Sequence, residues 1–357
     1  MKLVFLGPRT VHTVKWANEM ARRGHEVYLL TLHNSNEPLE PTVKFIELPL
    51  KPPFGFYLNA PFLKYLLKKI KPDLLNTHYA SSYGTLARLS GFHPNLLSVW
   101  GSDVFEFPYL SKFNMRLIRK NICEADRVAS TSKIMKRQVE SLWRPKSDIT
   151  VTPFGIDCSK FSPVSEKGSR SGKLRIGTVK SLSPQYGIMY LIKAFALAKD
   201  NGLKDAELCI VGGGSQEKEL KKLTFELGIQ NDLRFTGSVP SSEVPQWLNS
   251  FDIYVALSIQ ESFGVAVLEA SACNLPVIVS NAGGLPEVVV DGVTGFIVPT
   301  KDYKTAAEKI LEMSQDPELR EKLGKKGREF VVRNYEWSEC ANVMEQLYRE
   351  VIQVKKI

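Results

Sequence analysis

No stretch of 18 apolar residues occurs in this chain, so it offers no helix able to span a bilayer, and its opening Met1–Leu6 run is too short for a signal-peptide core. That reading expects a cytoplasmic protein. The five cysteines (Cys123, Cys158, Cys209, Cys273 and Cys340) are scattered singly, without metal-ligand spacing, which speaks against a disulfide framework or a zinc module. They read as reduced core thiols. No G-x-G-x-x-G follows the first apolar run, which counts against a dinucleotide dehydrogenase, and no D-x-D pair is present to hold a divalent cation on a diphosphate. Helix-turn-helix, zinc and RRM signatures are absent too, leaving nucleic acid the weaker partner for the excess positive charge.

What is present suffices for two domains: 357 residues, 43% hydrophobic, with a net charge of +9. The charge is lopsided, because residues 1–155 hold 22 Lys and Arg against 12 Asp and Glu while the remainder is near neutral. An anionic surface or polyanion is therefore expected to meet the first half. That half opens as a strand (2–6), a helix (11–22) and a second strand (27–31), with Arg9, His12 and Thr13 near the loop where open α/β sheets take ligands. The run 54–70 interleaves Phe54, Phe56, Tyr57, Phe62 and Tyr65 with Lys64, Lys68 and Lys69. It is expected to form one amphipathic helix, whose basic face is either simply solvated or in contact with anionic lipid headgroups. Strands follow at 73–76, 96–99 and 127–130, the second leading to Trp100-Gly101-Ser102-Asp103, with helices over 112–123 and 132–142. Asp103 is a candidate catalytic carboxylate, or a helix N-cap.

Pro153-Phe154-Gly155-Ile156-Asp157 reads as a joint, since proline fixes φ and glycine relaxes it, and the Ser-, Pro- and Gly-rich 159–173 reads as a linker. A second α/β half follows, with strands at 174–179, 207–211, 234–237, 251–257 and 276–280, and the tight turn Gly212-Gly213-Gly214-Ser215 suits a close-lying nucleotide, with Gly213 at its centre. Its organising segment is 259–276, IQESFGVAVLEASACNLP. Glu261 falls on a strand-to-helix loop and Glu269 two turns into the helix, so both carboxylates can meet hydroxyls of a ligand at the helix N-terminus. The amides of Phe263, Gly264 and Val265 and the helix dipole attract phosphate there.

The E-x7-E segment, followed by Gly283-Gly284-Leu285-Pro286-Glu287 and Asp291-Gly292-Val293-Thr294-Gly295, resembles the retaining GT-B glycosyltransferases of family 4 (glycosyl transferases group 1). Pro153 to Asp157 is similar to the stretch by which that family leaves its first domain. The resemblance implies two Rossmann-like domains facing each other across a cleft: an acceptor domain at 1–155, completed by a crossover helix at 335–357, and a nucleotide-sugar domain at 156–334. It implies retaining transfer of a hexose or N-acetylhexosamine, first among donors a UDP-sugar, to a glycan or lipid-linked acceptor in cell-surface polysaccharide or lipopolysaccharide assembly. Other uses of the fold are an epimerase, a phosphorylase or a non-catalytic nucleotide-sugar-binding subunit. In the implied site Glu261 lies near the transferred sugar, Glu269 holds the ribose, and Lys180 with the Phe263, Gly264 and Val265 loop holds the diphosphate, with no metal expected. The chain departs from the family at Trp100, which replaces a sugar-contacting His, and at Ser181 and Tyr186, which replace an Arg and a Lys. A peripheral contact with an anionic membrane completes the expectation.

Overall fold

The apolar runs become strands covered by helices in a computed structural model, which describes residues 1–164 and 172–354. Two units emerge, one formed by Met1–Phe154 together with the C-terminal segment from Ser338, the other by Gly155–Trp337. In the first, β1 (Lys2–Leu6), β2 (Glu26–Thr31), β3 (Lys44–Glu47), β4 (Leu74–His78), β5 (Asn95–Val99), β6 (Arg127–Ser130) and β7 (Thr150–Val151) form one parallel sheet in the order β3-β2-β1-β4-β5-β6-β7. Every residue of β4 and β5 is buried, as parallel strands covered on both faces require. The winding reverses between β1 and β4. That reversal falls at the carboxyl ends of these two strands, next to Gly7 and His78, the place where open α/β sheets take ligands.

The second unit repeats the plan with β8 (Leu174–Val179), β9 (Ala206–Val211), β10 (Leu233–Gly237), β11 (Ile253–Ala256), β12 (Val277–Ser280) and β13 (Gly295–Val298), all parallel, in the order β10-β9-β8-β11-β12-β13. Here the reversal lies between β8 and β11. Its core draws on both sheet and helices, with Ile176, Leu208, Ile210, Val255 and Ile278 packed against Leu191, Phe195 and Ile310. Packing is tight enough that a Cβ at Gly177 would lie 2.4 Å from the Phe251 ring.

Several boundaries differ from the sequence reading for identifiable reasons. The run 54–70 is two helices, Gly55–Leu58 and Ala60–Ile70, because Pro61 can neither donate to the helix nor clear the carbonyl one turn back. Asn59 occupies the break, donating to the Leu50 carbonyl at 2.8 Å and accepting from the Leu50 amide at 3.2 Å. The expected crossover helix at 335–357 begins later, as Trp337–Val354, since Tyr335 ends the preceding helix Pro317–Tyr335. Between them the chain is pinned to Ile156, whose amide donates to Tyr335 O and whose carbonyl accepts from Trp337 N. Edge strands β3 and β13 were not expected; β3 buries neither face fully, and β13 lies inside the glycine-punctuated 291–298 stretch. Residues 165–171 of the expected linker, and 355–357 of the expected helix, lie outside the described residues. Among the described residues, no helix is long and apolar enough to cross a membrane.

Candidate functional site

At the reversal of the second sheet, Lys180 follows β8 directly and Glu261 sits on the loop after β11. Lys180 Nζ donates to Glu261 Oε2 at 2.5 Å, both side chains being about a tenth exposed. The sequence reading assigned these two residues to phosphate and to sugar, and the structure joins them. Burial alone would depress the lysine pKa, but the Glu261 charge, with Tyr254 and Tyr186, outweighs it and holds the ammonium above its ordinary value. The Tyr186 ring lies 4.7 Å under Nζ. An ammonium has three N–H bonds. With one given to Glu261, two remain for an arriving anion.

Neighbouring loops fix this pair. Lys180 N donates to Val211 O, Leu182 N to Gly213 O and the Ser181 hydroxyl to Gly213 O at 3.4 Å, so the glycine turn after β9 is laced to the Lys180 loop. Gly212 has φ +142°, and a Cβ there would lie 1.9 Å from Lys180 O, so no other residue fits. The Glu261 loop is held from the other side, where Gly284 N donates to Glu261 O at 2.8 Å.

The helix Val265–Ala272 begins on Gly264, at φ +111° and ψ +41°. Most of it is buried, and the partly exposed residues Val265, Ala266 and Glu269 fall on one stripe by helical spacing. Glu269 thus shares a face with the first-turn amides of Val265 and Ala266, which have no helical carbonyl one turn back. Phe263 contributes no side chain to that stripe: it is 3% exposed and packs edge-on against Tyr335, ring centroids 5.7 Å apart. At this end of the sheet Gly213, Gly264 and Val265 offer backbone groups, while Lys180, Glu261 and Glu269 offer side chains.

The first unit's reversal carries a different chemistry. His12, at the start of the helix after β1, stacks on Phe154 at 4.2 Å, and Trp100 contacts both. His78, the last residue of β4, lies 4.1 Å from the Trp100 ring centroid and shares a hydrogen bond with Thr13 Oγ1 at 3.1 Å; its Nε2 is buried with no partner among the described residues. Burial, reinforced by Lys15, lowers the His12 pKa to about 4, and burial with His12 nearby lowers that of His78 to about 3. Both imidazoles are neutral at pH 7. The sequence reading singled out His12 and Thr13 but not His78, although its place at the end of the strand beside the reversal marked it.

Asp103 lies elsewhere than a catalytic carboxylate should. It is 1% exposed and accepts from the amides of Ala80 (2.7 Å), Gly101 (2.8 Å) and Trp100 (3.2 Å), tying the loop after β4 to the loop after β5. Burial raises its pKa against the pull of those amides. With its oxygens taken by backbone, Asp103 holds Trp100 in place rather than meeting a substrate. Arg9 likewise turns away, donating to Glu37 O and Asn34 Oδ1. No cluster of three His, Cys, Asp or Glu suited to a metal occurs among the described residues.

Two family models match the chain, one described as glycosyl transferases group 1 over residues 163–330 and one as glycosyl transferase 4-like over residues 2–132. Among curated relatives, the N-acetyl-alpha-D-glucosaminyl L-malate synthase of Bacillus anthracis is 27% identical across 95% of this chain and 92% of its own. The GDP-mannose-dependent alpha-(1-6)-phosphatidylinositol monomannoside mannosyltransferase of Mycolicibacterium smegmatis is 27% identical across 71% of this chain and 69% of its own. In structure, the sucrose-phosphate synthase of Thermosynechococcus elongatus superposes with a TM-score of 0.86 at 22% identity, covering 99% of this chain and all of that one. Anabaena HepE in complex with UDP gives 0.82 at 18% identity, covering 98% of this chain and all of that one. These likenesses show a GT-B type of fold.

Proposed function

Because the chain belongs to the glycosyl transferases group 1 family and is a glycosyltransferase, we propose that it moves a hexose or N-acetylhexosamine from a nucleoside diphosphate sugar to a glycan or lipid-linked acceptor, with retention at the anomeric carbon. The observation that carries this reading is the Lys180–Glu261 pair at the second unit's strand reversal, beside a helix N-terminus that exposes Glu269. A diphosphate takes the two remaining N–H bonds of Lys180 and the amides of Val265 and Ala266, and the helix dipole adds to the attraction. Ribose hydroxyls donate to Glu269. Glu261 stays beside the transferred sugar, and Lys180 stabilises the charge that grows on the leaving phosphate, so the reaction proceeds without a metal. UDP-sugars come first among donors, with GDP-sugars second, since relatives carry both kinds in their names or complexes.

The acceptor is assigned to the first unit, with the neutral His12 and the Trp100 and Phe154 rings as its apolar and hydrogen-bonding ground. Its charge surplus, and the exposed face of Ala60–Ile70 with Phe62 and Tyr65 among three lysines, support a peripheral contact with an anionic membrane at its cytoplasmic face, in cell-surface polysaccharide or lipopolysaccharide assembly. The test is to give the purified chain a panel of UDP- and GDP-sugars and follow thermal shift and donor consumption. Consumption of one donor with release of its nucleoside diphosphate supports the reading. Binding without turnover would point to a non-catalytic subunit, a sugar phosphate product to a phosphorylase, and an isomerised donor to an epimerase.

A further inference from the structure

On the first unit, the helices Ser82–Ser90 and Lys112–Glu124 leave a groove of about 570 Å³ between them, lined by none of the strand-end residues described above. Its lining is mostly apolar, with Tyr57 and Leu89, Phe113 and Leu117, and Trp143 as the principal surfaces. Phe113 is 63% exposed, Trp143 45% and Leu89 42%, a concentration of apolar surface that a water-facing groove does not need. The rim is cationic: Arg88, Arg116, Arg119 and Lys120 surround it, and the helix Lys112–Glu124 carries one acidic residue, Glu124, against its four cations. Arg119 is braced by the Leu142 carbonyl and lies 5.7 Å from the Trp143 ring. Among the described residues Arg116 and Lys120 have no carboxylate within ion-pair distance. The distribution of exposed aromatics points the same way, since Phe54, Tyr57, Phe62, Tyr65, Tyr109, Phe113 and Trp143 all belong to the first unit, and among the described residues only Phe225 is comparable in the second.

We propose that this groove takes one alkyl chain of an anionic membrane phospholipid, with Arg116 and Lys120 on its phosphate. A mostly apolar floor of about 570 Å³ beside Arg116 and Lys120, two cations unpaired among the described residues, fits a lipid, which carries an alkyl chain and a negative charge on one molecule. A soluble phosphate would leave the floor wet, and a second copy of this basic unit would bring like charge to the rim. The site rests on the membrane contact proposed above and names a place for it, distinct from the Ala60–Ile70 face.

The test uses the full chain with vesicles of phosphatidylglycerol carrying brominated acyl chains, and phosphatidylcholine vesicles as control. Bromine quenches tryptophan on contact, and of the five tryptophans Trp143 is the one at the groove. Wild type should be quenched by the brominated phosphatidylglycerol and little by the phosphatidylcholine, and Trp143→Phe should lose most of that quenching while still sedimenting with the vesicles. Arg116→Glu with Lys120→Glu should weaken vesicle binding at least fivefold with unchanged nucleotide-induced thermal shift, which guards against misfolding. Vesicle binding with no quenching of Trp143, or with full binding by the double reversal, overturns the groove and leaves the membrane contact standing. No binding to anionic vesicles at low salt overturns both, whereas concentration-dependent dimerisation that Phe113→Asp abolishes overturns the groove alone.

Discussion

At the scale of single residues, charge pairing under partial burial decides most of what the site can do. Removing one partner of the Lys180–Glu261 pair leaves the other unpaired with its side chain about a tenth exposed, and such losses cost up to about 3–5 kcal/mol when burial is complete. Lys180→Met should therefore lower the melting temperature, and adding Glu261→Gln should recover part of the loss; equal melting of the single and double variants would show that the pair is not coupled. For Glu269, Gln keeps the shape but weakens acceptance from ribose hydroxyls. Donor affinity should fall by roughly 1–3 kcal/mol, measured by titration with the nucleoside diphosphate, with little change in melting temperature. Asp103→Asn keeps one acceptor oxygen and sets an NH2 group against the amide of Ala80 or those of Trp100 and Gly101, so it is expected to loosen one of the two loops and shift Trp100, visible in near-ultraviolet circular dichroism. An unchanged spectrum with lost turnover would return Asp103 to the chemistry.

Whole elements show which features the sequence carried. The E-x7-E helix was legible because glycine, two carboxylates and an apolar run of helical length coincide, and the structure puts Gly264 in the left-handed region where the sequence had glycine. The pairing of Lys180 with Glu261 was not legible, because 81 residues separate them and only the reversal of strand order brings β8 and β11 side by side. His78 and Trp100 meet because the consecutive strands β4 and β5 pair side by side, which brings their carboxyl ends together. The 54–70 run failed as one helix on a single residue, Pro61, which propensity alone marked. The C-terminal helix gives a prediction at this scale. Tyr348 is fully buried in the first unit and accepts from Asn76 Nδ2 at 2.7 Å, while Glu345 meets Arg23 and His25 at 3.0 and 3.1 Å. Tyr348→Phe should cost about 1–3 kcal/mol in urea unfolding, since it strands a buried donor; no change would mean that the helix is held by its apolar face, Met344, Leu347 and Val351, alone.

For the molecule as a whole, the two units differ in how they respond to pH and cations. All five histidines lie in residues 1–93, and burial lowers the pKa of His12, His25, His33 and His78 below 6.5. A base whose folded pKa is depressed gives stability that is complete above its unfolded value and lost as pH falls from about 6.5 toward the folded value, at up to about 1.4 kcal/mol per pH unit for each group. Calorimetry between pH 7.5 and 5 should therefore show the first unit melting earlier as acid is added. His12→Phe should shallow that dependence, and identical pH profiles would contradict the placement of neutral imidazoles. If Lys180 and helix amides hold the diphosphate as proposed, activity is expected to survive EDTA; Mg²⁺-reversible loss would contradict that proposal.

The central claim, a diphosphate gripped by Lys180 at the second unit's strand reversal, is tested most directly by the ratio of UDP to uridine affinity in wild type and in Lys180→Met, which cancels any general damage to the fold. One charge-assisted hydrogen bond is worth roughly 1.5–3 kcal/mol. The account predicts that the variant loses about ten- to a hundredfold in UDP affinity while uridine binding changes little, and an equal loss for both would contradict it.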